Sequence, residues 1–180
     1  MTTNELNNDL NNNLNNYLNK DIEIVINAPE LLPYFKSINE EWITDMFSLE
    51  PTDRDVLNNA QTLIVDQGGK ILYARHPSLG VVGTCALLKK VEGAFELTKM
   101  GVLKRARGLK VGETLLQAVI ALAKDMNINK LFLLTNHRCE AAIHLYLKNG
   151  FEHDAEMMRQ YGSLYQRSDV AMRYRAEKDK

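Results

Sequence analysis

The chain of 180 residues is short of several things, and each shortage excludes a class of protein. It carries two cysteines, Cys85 and Cys139, far apart and without ligand-like neighbours. That leaves no disulfide framework to build on and suits two reduced thiols in a cytoplasmic protein. Its four histidines, His76, His137, His144 and His153, are scattered without metal-ligand spacing, so no metal is expected. No apolar run approaches the roughly eighteen residues of a membrane span. No basic segment followed by an apolar one stands near the N-terminus, so neither a membrane nor a secretory signal is expected. A formal net charge of −1 supplies no field for nucleic acid. What remains, 45% hydrophobic and 25% charged residues, is the composition of a globular domain.

Residues 1–19 stand apart, because nine of them are asparagine. Leu6, Leu10, Leu14 and Leu18 nevertheless form one apolar stripe. Two readings stay open: a solvated tail, or a weak helix that orders against a partner. Residues 20–180 read as a single domain. Alternation and β-branched runs predict strands over 22–26, 62–66, 71–76, 81–90, 94–103, 131–135 and 169–175, with Gly68-Gly69 as a tight hairpin between the second and third. Apolar three- and four-residue steps predict helices over 29–47, 109–126 and 139–148, and a short one capped by Thr52 or Asp53 that runs to residue 59. Strands first and then strands alternating with helices give an α/β or α+β domain around a mixed sheet of about seven strands.

The segment Lys-Arg-Ala-Arg-Gly-Leu-Lys-Val-Gly (104–112) lies between a strand and the long helix. Gly108 and Gly112 permit positive φ and close backbone approach, and the helix behind them begins with N–H groups that have no partner within it. Those donors and the helix dipole favour an anion. Arg105, Arg107 and Lys110 add formal charge, so a diphosphate fits the segment well. A triphosphate loop does not: Gly112-Glu113-Thr114 has a carboxylate where that motif requires lysine. Nor do aromatics interleave the five basic residues from Lys99 to Lys110, as a nucleic-acid surface would have them. A solvated basic turn is the competing reading.

Phe95-Glu96-Leu97-Thr98-Lys99-Met100-Gly101-Val102, followed by Arg107-Gly108-Leu109-Lys110-Val111-Gly112 and Leu115-Leu116, resembles the acetyl-CoA-binding core of the Gcn5-related N-acetyltransferases. Arg107 and Gly112 match the first and last positions of that family's Gln/Arg-x-x-Gly-x-Gly/Ala loop, whereas its middle glycine is Lys110 here. Lysine at that point needs either negative φ or a positive φ costing on the order of 1 kcal/mol. Further on, Ala142, Leu145, Tyr146, Gly150 and Phe151 match the family's second signature, although its usual asparagine is Cys139 and Asn136 stands in for a related hydrogen bond. Gly150 also suits a left-handed helix cap with Phe151 folded back on it.

The resemblance implies the family's fold, a twisted and mostly antiparallel sheet flanked by helices and splayed between its fourth and fifth strands. It implies acetyl-CoA as co-substrate, a small-molecule amine as acceptor, and a homodimer as a common assembly. The loop 107–113, that is Arg107, Gly108, Leu109, Lys110, Val111, Gly112 and Glu113, would hold the pyrophosphate. Backbone groups of Met100 and Val102 would bind the acyl carbonyl and pantetheine at a bulge that Gly101 tolerates, with Asn136 nearby. Tyr146 would protonate the departing thiolate. Glu96 is the candidate base, and period-two alternation places it on one sheet face with Thr98 and Met100. Acceptor contacts would come from 29–60 and 155–168; Tyr165 lies there with Arg167, whose fork could take a carboxylate. A non-catalytic acyl-CoA sensor, a longer acyl donor and a protein amine remain alternatives.

Overall fold

The computed structural model describes residues 21–91 and 93–175, together with residues 5, 8, 9, 11 and 12. Strand β1 (Glu23–Ile26) leads through a 3-10 turn at Pro29–Leu31 into helix α1 (Leu32–Met46), and α2 (Pro51–Asn58) follows. Strands β2 (Lys70–His76), β3 (Gly80–Lys89) and β4 (Ala94–Val102) form a meander. Then come α3 (Val111–Asp125), β5 (Lys130–Thr135), α4 (Glu140–Lys148), β6 (Phe151–His153), α5 (Ala155–Tyr161) and β7 (Val170–Tyr174). The seven strands form one sheet in the order β1-β2-β3-β4-β5-β7-β6. Only β4 and β5 run parallel.

Alternation sends the two faces of the sheet into two cores. Leu72, Ala74, Cys85, Leu87, Phe95, Leu97, Leu131 and Leu133 meet Val111, Leu115, Leu116, Val119 and Leu122 of α3. Ile71, Tyr73, Val81 and Ala86 meet Phe35 and Ile38 of α1 and Val56 and Leu57 of α2. Phe132 and Ala171 pack on Met157 of α5 beside them. Gly150, with φ +91, ends α4 and turns Phe151 back to 5.8 Å from the Tyr146 ring, as the sequence predicts.

Two segments differ from expectation. Residues 62–66 are helical, not a strand: Leu63 donates to Asn59 O and Asp66 to Gln61 O, so Gln61–Val65 is a wide turn that prolongs α2. Its β-branched residues are not there for a ladder, since Ile64 fills the core under α2. Gly68-Gly69 therefore leaves a helix instead of joining two strands. A Cβ on Gly69 would lie 2.3 Å from Leu87 O and 2.8 Å from Ile64 O, so the bare backbone is needed for close approach. The seventh strand is β6, three residues long, and α5 behind it is capped by Asp154, which accepts from the N–H groups of Glu156 and Met157. The cap of α2 is also shifted: Glu50 occupies the N-cap position and Asp53 the third helical position.

Of the Asn-rich segment, Asn11 Oδ1 accepts a 3.1 Å hydrogen bond from Ile26 N on the edge strand. The rest of the two readings for 1–19 lies outside the described residues. Among the described residues no helix is long and apolar enough to cross a membrane.

Candidate active site

The site begins where β4 and β5 part. Their register runs from Ala94 opposite Lys130 to Leu97 opposite Leu133 and then stops, while β5 continues on β7 as far as Thr135. Across the other edge of β4, Thr84 pairs with Gly101 but Ala86 with Thr98, so β4 holds one extra residue. That bulge is Lys99, at φ +53, and not Gly101. Gly101 has a different reason to be glycine: a Cβ there would lie 2.3 Å from Trp42 Cδ1. The extra residue also breaks the alternation. Glu96 is flanked by Leu88 and Phe132 on one face, whereas Met100 and Val102 pack with the α3 core on the other. Glu96 and Met100 therefore do not share a sheet face.

The parting strands enclose a cavity of about 60 Å³ lined by Glu96, Thr98, Lys99, Met100, Asn136, Cys139 and Tyr146 together with Trp42, Phe47, Tyr165 and Arg167. Tyr146 is 7% exposed, and among the described residues nothing hydrogen bonds to its hydroxyl. Burial pushes its phenol well up, with Cys139 and Cys85 adding to the effect, so it is a neutral O–H donor at neutral pH. Glu96 is 1% exposed, and Lys90 Nζ stands 2.8 Å from its Oε2 in an ion pair too bent to count as a hydrogen bond. Asn136 has both ends of its amide engaged: Nδ2 donates to Arg167 O at 2.7 Å and Oδ1 accepts from Arg138 N at 2.9 Å.

On the other side of Met100 and Leu145 a groove of about 410 Å³ opens, lined by Val102, Arg107, Gly108, Lys110, Val111, Gly112, Glu113, His144 and Lys148. A Cβ on Gly112 would touch Met100 Cε and Leu145 Cδ2 at 3.7 Å, so a side chain of the cavity and one of the groove both reach the start of α3. The loop turns through Gly108 at φ +83 and Lys110 at φ +59, the positive value that the sequence allowed for. Lys110 O then starts α3 by accepting from Thr114 N and Thr114 Oγ1 at 3.0 and 2.9 Å. No side chain caps the helix, so the N–H groups of Val111, Gly112 and Glu113 face the groove without an intrahelical partner. Leu109, 39% exposed, lies on the outside of the turn.

The basic residues sort themselves. Lys104 is held by Asp45 at 2.6 Å, Arg105 donates to Leu79 O, and Lys99 is buried against Asp53. Among the described residues Arg107 and Lys110 have no carboxylate within ion-pair distance. Glu113, the one acid of the groove lining, is taken by Lys148 at 2.9 Å, and that hydrogen bond holds its carboxyl below the usual range. Open N–H donors, a helix dipole and two unpaired cations fit a diphosphate.

Behind Tyr165 and Arg167 lies a buried ionic junction whose members stand far apart in the sequence. Asp53 is fully buried and accepts from Arg167 Nη1 and Nη2 at 2.6 and 2.8 Å, from Lys99 Nζ at 2.9 Å and from Glu50 N at 2.9 Å. Burial alone would raise its pKa, but Arg167 and Lys99 outweigh that and hold it at about 2. Lys99 Nζ also donates to Tyr165 OH at 3.1 Å, and Arg167 reaches Glu50 at 2.9 Å. The bidentate fork of Arg167, expected for an acceptor carboxylate, is thus closed on Asp53, and Tyr165 is packed beneath both cations. Asp53 was legible only as a helix cap.

Comparison with known proteins agrees with this architecture. The model of the acetyltransferase (GNAT) family matches residues 30–151, more than half of the chain. No curated protein matches it by sequence. Among solved structures, a GNAT-family acetyltransferase from Staphylococcus aureus Mu50 superposes with TM-score 0.75 at 22% identity, over 85% of this chain and 98% of that one. PaiA N-acetyltransferase from Thermoplasma acidophilum, in complex with coenzyme A, gives 0.65 at 19% identity over 86% and 99%. An acyl-CoA N-acyltransferase from Klebsiella pneumoniae gives 0.60 at 25% identity over 87% and 98%. With its parted β4 and β5 and its open helix terminus, the chain belongs to the acetyltransferase (GNAT) family and is an acyltransferase.

Proposed function

We propose that the chain moves an acetyl group from acetyl-CoA directly to the primary amine of a small molecule, both substrates being bound together. The observation that carries this reading is the adjacency of the two spaces: Met100 lines a polar, acid-bearing cavity, and its Cε would lie 3.7 Å from a Cβ on Gly112 of the diphosphate-ready groove. Arg107, Gly108, Leu109, Lys110, Val111, Gly112 and Glu113 hold the pyrophosphate. The backbone of Met100 and Val102 lies along the pantetheine, and the bulge at Lys99 turns a β4 amide toward the acyl oxygen.

The acceptor enters as an ammonium and gives up two protons. Glu96 takes one through water, which leaves a neutral amine to attack the carbonyl carbon. As the C–N bond forms and the C–S bond breaks, Tyr146 gives its proton to the departing sulfur, and the second proton from nitrogen passes through water to restore the Tyr146 hydroxyl. The products are an amide, free thiol and one proton released to solvent. Burial keeps Tyr146 protonated, so its O–H is available to the departing sulfur.

Release of free thiol from acetyl-CoA against a panel of small amines tests the reading. With an active amine in hand, Tyr146→Phe is expected to lower kcat by roughly a hundredfold or more while leaving CoA affinity by calorimetry unchanged. Unchanged turnover would remove Tyr146 from the mechanism, and CoA binding without thiol release from any amine would point to a sensor.

A further inference from the structure

Phe47, where α1 ends, has two arginines near its ring: Arg138 Cζ lies 5.0 Å and Arg167 Cζ 6.0 Å from its centre. Their situations differ. Arg167 is largely buried and closed on Asp53 and Glu50. Arg138 is exposed, and among the described residues no carboxylate lies within ion-pair distance of it.

The anions around it are already satisfied. Asp45 holds Lys104, Glu50 holds Arg167 and the N–H of Gln166, and Asp169 is engaged by the ring and N–H of His137. Arg138 is therefore a cation left over at the lip of a groove lined by Phe47, Glu50, Gln166 and Arg167. Phe47 and Arg167 also line the cavity between β4 and β5, so the groove adjoins it. The backbone that carries Arg138 is held by hydrogen bonds. Its N–H donates to Asn136 Oδ1 at 2.9 Å, Cys139 N donates to Asn136 O at 2.9 Å, and Asn136 Nδ2 ties the turn to Arg167 O. A turn held in this way loses little freedom when a ligand binds.

We infer that Arg138, seated on Phe47, clamps a carboxylate of the acceptor, so that the substrate class is a small amine carrying a free carboxyl group, as in an amino acid. The inference rests on the transfer reading above. A planar guanidinium with unengaged N–H donors is matched to a carboxylate, and the aromatic contact keeps the cation in place without taking up those donors. In effect, the recognition that the sequence placed at Arg167 passes to Arg138.

The test measures thiol release with the standard α-amino acids and, beside each, its α-carboxamide. At least one acid is expected to exceed its amide in kcat/KM by roughly tenfold to a hundredfold, the range for one charge-assisted contact. Arg138→Ala is expected to bring that ratio to about one, and Arg138→Lys to retain part of it. A wild-type enzyme that favours no acid over its amide overturns the inference, as does a preference that survives Arg138→Ala. If neither series releases thiol while another small amine does, the inference fails and the transfer reading stands; if no amine of any kind releases thiol, the transfer reading fails, and the clamp is then decided by calorimetry of the same acids and amides on the CoA-bound protein. Binding of an acid that is lost in Arg138→Ala supports it; no binding of any acid rejects it.

Discussion

Asp53→Asn tests whether the acceptor side stands on the ionic junction. Asparagine keeps the size of the side chain and removes its charge, as protonation would. The fall of the Asp53 carboxyl from 3.8 to about 2 corresponds to about 2.5 kcal/mol of stability at neutral pH. Breaking one partner out of a buried pair costs roughly 3–5 kcal/mol where no other counter-ion remains. Here Arg167 keeps Glu50 at 2.9 Å, so only Lys99 is stranded. The expected loss is about 2–4 kcal/mol at pH 7, read from urea unfolding followed by circular dichroism. Because the folded pKa lies below the unfolded one, the contribution is complete above about pH 4 and fades as pH falls through the folded value. The gap between wild type and variant should have closed by about half at pH 3. Adding Lys99→Met removes the stranded ammonium from a site where it is 2% exposed, and should recover much of the loss. A single variant within 1 kcal/mol of wild type, or a gap that stays constant between pH 7 and 3, would refute the reasoning.

Gly101→Ala would push a methyl to within 2.3 Å of Trp42 Cδ1. It is expected to cost about 1–3 kcal/mol by overpacking and to shift the emission of the chain's one tryptophan; an unaltered melt and spectrum would contradict the packing. Arg107→Ala is expected to weaken CoA binding by about 1–3 kcal/mol in calorimetry, and equal affinity would reject its place at the diphosphate.

The loop before α3 was legible because its features are local. Within 104–112 the glycines, the helix start and the cations follow one another in the chain, and spacing alone implied an anion cradle. The acceptor half is assembled from far apart: Lys99 and Asp53 are 46 positions from each other, and Arg167 and Asp53 are 114. No periodicity links such residues, so Arg167 looked free and Asp53 looked like a cap. The helical turn at Gln61–Val65 was misread because its β-branched residues serve burial under α2, a tertiary demand that overrides local preference. Strand β6 was too short to show alternation, although Asp154 could have announced the helix after it.

The two lysines with left-handed backbone show how strain and charge together locate a site. Each gives up on the order of 1 kcal/mol relative to glycine at the same φ. At Lys99 the reason is internal: the bulge swings its ammonium onto Asp53 and Tyr165, and the ion pair offsets the strain. At Lys110 no described carboxylate answers, yet the same conformation opens α3 beside Arg107 and leaves three N–H groups facing the groove. A lysine strained for a partner within the fold is part of the architecture. A lysine strained beside unpaired donors is poised for a partner outside the chain, and the diphosphate of the proposed donor would be that partner.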